Sequence, residues 1–380
     1  MAMERLFQLM KEKNASDMFF AVNSPVHIKI NGNLIPINQH KLEQDNIVSL
    51  LSEITTPEQM AELEKDNELN MGISVHNLGR FRLSAFRQRG SISAVFRFVP
   101  AVIPPLADLG LPQVLSDLIM EKRGLMLVVG ATGSGKSTTI ASMLDHRNEL
   151  RAGHILTLED PIEYLFKNKK SIVNQREIGS DATSFAVALR NSMRQAPDCI
   201  LIGEIRDKET MAAALAYAQS GHLVLATLHA NNSYNALNRI ISFYPIENRP
   251  ALLQDLSSAV KAIISQRLIK SAAGGTRQAA VEIMVNTRYV SDLIEKGEIG
   301  QIKEAMDQSL SPGSQSFETA LVELVQSGLV TQDEALANAD SATNLLWLLN
   351  NGPDSKAKQA AAPVVEDPTA ASFTEFTLNN

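Results

Sequence analysis

The most constraining stretch of the chain is an apolar run, Leu125-Met126-Leu127-Val128-Val129, followed by Gly130-Ala131-Thr132-Gly133-Ser134-Gly135-Lys136-Ser137 and then by Thr138-Thr139-Ile140-Ala141-Ser142-Met143-Leu144. The middle eight residues match G-x-x-x-x-G-K-[ST], and the flanks read as a strand and the start of a helix. That order predicts a βα unit whose connecting turn faces a phosphate. Glycines let the backbone wrap closely, while N–H groups and the helix N-terminus supply positive potential. In this arrangement Lys136 reaches the terminal phosphates and the Ser137 hydroxyl holds Mg²⁺.

From about residue 113 to 270, short apolar runs alternate with helical stretches, which predicts βαβ units and a parallel sheet. His154-Ile155-Leu156-Thr157-Leu158 ends in Glu159-Asp160-Pro161-Ile162-Glu163, Cys199-Ile200-Leu201-Ile202 ends in Gly203-Glu204, and His222-Leu223-Val224-Leu225-Ala226-Thr227-Leu228 ends in His229. Ligands of open parallel sheets sit beyond the carboxyl ends of the strands. Four strands finishing in reactive groups therefore point to one site. An attacking water needs a carboxylate to orient it and take its proton, and Glu163 and Glu204 are both candidates. His229 is placed to sense a terminal phosphate by a hydrogen bond. Glycine stands at 203, where a generic Walker B strand carries aspartate. His222 stays open between a structural and a functional role, and His27, His40, His76, His146 and His154 belong to no constellation.

The first hundred residues read as a small α/β module. Leu6, Phe7 and Met10 share a helix face, and Asn31-Gly32 between Val26–Ile30 and Asn33–Ile37 predicts a hairpin pairing Ile28 with Ile35 and Val26 with Ile37. Gly79 to Pro100 supplies two more strands, one face greasy and the other carrying Arg80, Arg82 and Arg97. Proline favours extended geometry, so Pro100-Ala101-Val102-Ile103-Pro104-Pro105 opens a connector over 101–112. The expected organisation is an N-terminal domain over 1–100, an α/β domain over 113–276, a helical region over 277–350 and a disordered tail over 351–380. Leu321, Leu324, Val325, Leu345, Leu346, Leu348 and Leu349 are its expected helical packing positions.

No apolar run approaches the roughly 18 residues of a membrane span, and the N-terminus does not read as a signal peptide. A single cysteine, Cys199, excludes an intramolecular disulfide and a cysteine-rich zinc site. These features predict a cytoplasmic protein. A net charge of −7 weighs against a nucleic-acid partner.

The segments GATGSGKST, LEDPIEY, NQREIG, APDCILIGEIRD, SGHLVLATLHA and SQRLI resemble the secretion-ATPase superfamily, specifically type IV pilus retraction ATPases of the PilT/PilU type, with RQAPDCILIGEIRD and ATLHANN nearer the PilU branch. The resemblance covers about residues 1 to 350. It implies a PAS-like N-terminal domain, a RecA-like P-loop ATPase domain, a homo-hexameric ring, and ATP with Mg²⁺. Its Walker A motif maps onto Gly130, Ala131, Thr132, Gly133, Ser134, Gly135, Lys136, Ser137 and Thr138. Its aspartate box maps onto Glu159, Asp160 and Glu163, with Glu163 the implied catalytic glutamate. Its atypical Walker B maps onto Gly203 and Glu204, and its histidine box runs from His222 to His229. Ser137, Glu159 and Glu204 form the implied metal side. Arginine fingers come from a neighbouring N-terminal domain, which fits the face of Arg80, Arg82 and Arg97. The implied setting is the cytoplasmic side of the inner membrane at the pilus base, with a platform protein and a PilT-type paralogue as partners. Three other readings remain: an assembly or export ATPase, an ATP-binding accessory to a PilT-type motor, and a nucleic-acid-translocating ATPase. The single cysteine disfavours the first of these, and the acidic charge disfavours the last.

Overall fold

Six antiparallel strands build the N-terminal half-layer: β1 (Asp17–Phe20), β2 (His27–Ile30), β3 (Asn33–Pro36), β4 (Glu68–Val75), β5 (Gly79–Gln88) and β6 (Ser91–Val99). They lie in the order β3-β2-β1-β6-β5-β4. The structure, a computed structural model, describes residues 2–30, 32–76, 78–99, 102–308 and 313–351. Asn31 of the expected turn, Pro100 and Ala101 of the expected connector, and the expected tail from 352 onward lie outside the described residues.

The expected hairpin register is the observed one. Ile28 pairs with Ile35, and the Ile37 N–H donates to the Val26 carbonyl at 2.9 Å. Alternation then sorts the faces of β5 and β6. Phe81, Leu83, Ala85, Ala94 and Phe96 are buried in one cluster with Met3, Phe7 and Met10 of the helix Ala2–Glu12. Phe7 stacks on Phe81 with ring centroids 4.1 Å apart. Arg82 lies directly across from Arg97 on the other face, and Arg97 across from Asp17 of β1.

The second sheet comprises β7 (Gly124–Val129), β8 (Gly153–Glu159), β9 (Ser171–Glu177), β10 (Cys199–Ile202), β11 (Leu223–Leu228), β12 (Val260–Lys270) and β13 (Arg277–Val285). Its order is β13-β12-β7-β11-β10-β8-β9. All pairings are parallel except β12 with β13. All residues of β7 and β10 are buried, which is why these segments read as unbroken apolar runs instead of alternating. Helices cover both faces and create two clusters, one around Leu127, Ile202 and Val224, the other around Met126, Val128 and Leu225. Each fully buried aliphatic side chain contributes roughly 1.5–3 kcal/mol.

Residues 277–285 correct the expected helical region. They are β13, an edge strand with both faces covered at its centre, so the apolar residues from Ala279 to Val285 run together, interrupted only by the buried Glu282, without helical spacing. Beyond it, helices Phe317–Gln326, Gln332–Asn338 and Ala342–Asn351 pack Phe317, Leu321, Ala335 and Leu345 against Ile269 and Ala280. Leu346, expected to pack, is exposed. The connector is also less free than a proline-rich hinge suggests. Ser142 Oγ donates to the Pro104 carbonyl at 2.7 Å, and the buried Arg147 donates to the carbonyls of Ile119 and Glu121 at 2.6 and 3.0 Å. Both residues belong to the helix Lys136–Leu150, which therefore holds the chain from Pro104 onward.

Candidate active site

The parallel run of strands carries the phosphate-loop motif, Glu159, Glu204 and His229 to one edge of the sheet, because β7, β8, β10 and β11 all point the same way. A cleft of about 550 Å³ opens there. Thr132, Gly133, Gly135, Lys136, Ser137 and Thr138 line it, together with Glu159, Glu163, Glu204, His229 and Arg97.

The loop after β7 owes its shape to space as well as dihedral freedom. Gly130 has φ 147°, and a Cβ there would lie 2.6 Å from both the Gln266 carbonyl oxygen and Ser134 Oγ. Gly135, at φ 91°, precedes the helix Lys136–Leu150, and its Cβ would meet Gln266 Nε2 at 2.7 Å. Gln266, buried on β12, braces the loop from below by accepting a 2.7 Å hydrogen bond from Thr139 Oγ1. Lys136 Nζ donates to the carbonyls of Gly130 and Ala131 at 2.8 and 2.9 Å. Burial lowers its pKa, and the charges of Glu163 and Glu204 oppose that shift. Both carboxylates therefore act electrostatically on the lysine.

Beyond β8 the two acids differ. Glu159 is 8% exposed, and its Oε1 accepts from Thr157 Oγ1 at 2.6 Å and Gln175 Nε2 at 3.2 Å. Burial raises its pKa, and the nearby charge of Glu163 adds to the rise. Glu163 is exposed into the cleft. Its neighbour Tyr164 hydrogen-bonds Thr138 through the hydroxyls at 2.8 Å, which ties this segment to the phosphate-loop helix.

Glu204 follows β10 and is held at both oxygens. Oε1 lies 3.3 Å from His229 Nε2, while Oε2 accepts from Arg206 Nε and Nη2 at 2.8 and 2.7 Å. Arg206 Nη1 lies 3.8 Å from Asp160 Oδ2, so this guanidinium bridges the ends of β8 and β10. The glycine at 203 has a steric reason. A Cβ there would stand 3.1 Å from the Leu158 carbonyl oxygen and 3.2 Å from the Glu159 Cα. The strand end is packed against its neighbour's backbone, and its carbonyl accepts from the Thr227 hydroxyl.

The three arginines separate. Arg97 lines the cleft of its own chain and pairs with Asp17 through Nε at 2.8 Å. The expectation of a finger supplied by a neighbouring chain thus meets an arginine already at the cleft in cis. Arg82 is half-buried beside it and does not line the cleft. Arg80 departs from the expected catalytic set. Its side chain is 14% exposed and bonded to Glu177, away from the cleft lining. His222 lies apart from the cleft. It begins β11's approach at the opposite edge of the sheet, its Nδ1 near Ser220 Oγ and the Tyr217 carbonyl at 3.1 and 3.2 Å.

The donor set suits a hard divalent cation bound together with phosphate. No group of three or more His, Cys, Asp or Glu side chains able to hold a metal occurs among the described residues. Magnesium typically takes one or two protein oxygens and draws the rest from phosphates and water. Ser137 and Glu204, both lining the cleft, meet that need. Glu159 fits it less well because burial disfavours its anionic form, whereas Glu204 is 22% exposed, although its oxygens would have to be shared with or released by Arg206 and His229.

Residue-by-residue reading of the sequence missed Arg206, Gln266, Gln175 and the Tyr164–Thr138 bond. Arg206 had a signal, since it stands two residues after Glu204 at a strand end. Gln266 lay inside the quoted SQRLI segment, but nothing local tied it to the loop, because it bonds Thr139 from 127 residues further along the chain.

A profile for the type II/IV secretion system protein family matches residues 2–333. The chain belongs to this family. Among curated relatives, the type IV pilus ATPase PilU of Pseudomonas aeruginosa is 43% identical over 357 residues, covering 94% of this chain and 94% of that protein. The type IV pilus retraction ATPase PilT of the same organism is 37% identical over 344 residues, covering 90% and 100%. Among solved structures, that of the pilus retraction motor PilT with bound ADP superposes with a TM-score of 0.84 at 37% identity, covering 90% of this chain and 97% of that one. The Legionella pneumophila ATPase DotB superposes at 0.78 with 26% identity, covering 88% and 94%.

Proposed function

We propose that this chain is an ATP-hydrolysing motor of the type IV pilus machinery that drives pilus retraction, and so twitching motility, as a homo-hexamer. The carrying observation is the single cleft that brings together Lys136, Glu163, Glu204 and His229. Phosphoryl transfer needs little covalent chemistry from protein, so positioning and charge do most of the work.

The loop N–H groups and the N-terminus of the helix Lys136–Leu150 receive the phosphates. Lys136 exchanges its loop carbonyls for phosphate oxygens, a swap favoured because its partial burial leaves the ammonium short of solvent. Ser137 and Glu204 would hold Mg²⁺, which when bound screens the negative charge of the phosphates. Glu163, exposed and near Lys136, orients the water and accepts its proton. His229, against Glu204 Oε1, reports the terminal phosphate to the β10 end. Arg97 meets the developing charge on the transferred group.

The N-terminal sheet unit and the parallel-sheet unit then act as two bodies. The parallel-sheet unit holds the chain at Pro104, so relative motion of the two bodies does not involve the residues that follow it. The working partners in this reading are an inner-membrane platform protein at the cytoplasmic base of the pilus and a PilT-type paralogue. No helix among the described residues is long and apolar enough to cross a membrane.

The test is phosphate release by the purified full chain, alone and mixed with a PilT-type protein, beside retraction of pili in cells lacking the chain. Turnover by the chain alone and loss of retraction in its absence support an autonomous motor. No turnover alone but a rise in the mixture above that of the PilT-type protein by itself assigns it an accessory role. No turnover alone and no such rise sink the proposal.

A further inference from the structure

We propose that Arg80, Glu177 and the backbone of Ile162 form a strut through which the N-terminal sheet sets the position of Glu163. Arg80 starts on the arginine face of β5, but its Nη2 donates to Glu177 Oε2 at 2.5 Å, with Nη1 3.4 Å from Ser74 Oγ. Glu177 is the last residue of β9, at the edge of the parallel sheet. The same Oε2 accepts the Ile162 N–H at 3.0 Å. Ile162 immediately precedes Glu163. Two hydrogen bonds sharing one oxygen thus run from the N-terminal sheet to the residue beside the water-orienting carboxylate.

Three features mark this as a built contact. The pair is enclosed, with side-chain exposures of 14% for Arg80 and 3% for Glu177, so neither charge is stabilised mainly by water. The neighbouring strand makes room for it. A Cβ on Gly72 of β4 would stand 2.1 Å from Arg80 Nη2 and 2.8 Å from Glu177 Oε1. Gly72 has no left-handed φ, so its need is for space alone. Finally, neither Arg80 nor Glu177 lines the cleft of its own chain, which separates this arginine from Arg97.

A displacement of the N-terminal sheet therefore pulls on a backbone N–H one residue from Glu163. Consecutive Cα atoms are about 3.8 Å apart, so the shift acts directly on the backbone that carries Glu163. Misplacing a reacting group by about 1 Å is worth up to roughly 100-fold in rate. Arg80 and Glu177 are positioning residues, and nucleotide binding by the phosphate loop does not depend on them.

This inference rests on the ATPase reading of the cleft. The experiment is steady-state ATP hydrolysis by the full chain carrying Glu177→Gln, Arg80→Gln, Gly72→Ala or the double change Arg80→Gln/Glu177→Gln, with thermal melting alongside. The expected result is kcat lower by about 10- to 100-fold in each, KM for ATP within about two-fold, and the double variant no slower than the slower single. Arg80→Lys, which keeps the charge, should recover part of the rate. Gly72→Ala reaches the same strut from a partly buried edge-strand position and leaves both charges in place, so it reports even if the charge-removing variants fold poorly. Wild-type kcat in Glu177→Gln and Gly72→Ala overturns the strut while leaving the ATPase reading intact. A rise in KM matching the fall in kcat also overturns it. A wild-type chain without turnover overturns both.

Discussion

Replacing Arg97 by alanine separates two roles that differ greatly in size. The arginine lines the cleft, and its Nε is 2.8 Å from Asp17 Oδ1. Its side chain is 64% exposed, so solvent screens this pair, and its contribution to stability is about 0–1 kcal/mol. Asp17 also keeps a hydrogen bond from Ser16 Oγ at 2.8 Å, which limits the loss further. An arginine that meets the transferring phosphoryl group is worth roughly 10³- to 10⁵-fold in turnover, or about 4–7 kcal/mol of barrier. Arg97→Ala should therefore lower kcat by at least about 10³-fold while the melting temperature barely moves. Arg97→Lys should recover only a small part, since an ammonium lacks the planar fork. Arg82→Ala, one strand across and outside the cleft lining, should lose far less. The assay is phosphate release at saturating ATP with the full chain, paired with thermal melting. Turnover within about 10-fold of wild type in Arg97→Ala, well short of a finger's worth, would refute the reasoning.

Two further outcomes follow from the packing and charge of the sheet. Gly203→Asp, which recreates the generic Walker B aspartate, should reduce both activity and stability, the latter by about 1–3 kcal/mol, because its Cβ presses on the Leu158 carbonyl and the Glu159 Cα. Unchanged melting and turnover would contradict that. Burial pushes Glu282 up to about 7, while Ser233 N–H and Ser265 Oγ both donate to its Oε1. Between its ordinary value and about 7, the folded chain holds a proton that the unfolded chain has released. Stability contributed at this site is therefore full at lower pH, falls as pH rises through the window, and stays reduced above it. Glu282→Gln should gain on wild type across that window, by up to on the order of 3 kcal/mol above it. Parallel melting curves at pH 5 and pH 8 would contradict the assignment.

Much of the site was legible because its logic is local. Gly130 to Ser137 follow a strand and start a helix within one stretch, and parallel pairing sends every such strand end to the same edge. The Val26–Ile37 hairpin was legible for the same reason, since its register is set by a two-residue turn. What escaped depends on contacts across the chain. Strand β1 is four residues long with no apolar alternation of its own and is ordered by β2 and β6 on either side, whereas β4 does alternate, at Leu69, Met71, Ile73 and Val75, and was passed over. Residues 277–285 looked helical because burial on both faces erased strand alternation. Arg80 and Arg97 share one face by sequence, yet one side chain leans out to Glu177 and the other to the cleft. No spacing rule distinguishes them. Residue chemistry alone left Glu163 and Glu204 both open as water-orienting base and the family resemblance implied Glu163; in the structure Glu204 has both oxygens beside Arg206 and His229 while Glu163 is exposed.

The central claim is that this sheet edge binds ATP and turns it over through Glu163. The most direct measurement is single-turnover hydrolysis of radiolabelled ATP by the full chain, with nucleotide binding measured on the same samples, for wild type, Glu163→Gln and Lys136→Ala. The account predicts that Glu163→Gln still binds ATP but loses at least about 10²-fold in the chemical step, whereas Lys136→Ala loses binding as well. Near wild-type hydrolysis by Glu163→Gln would contradict it.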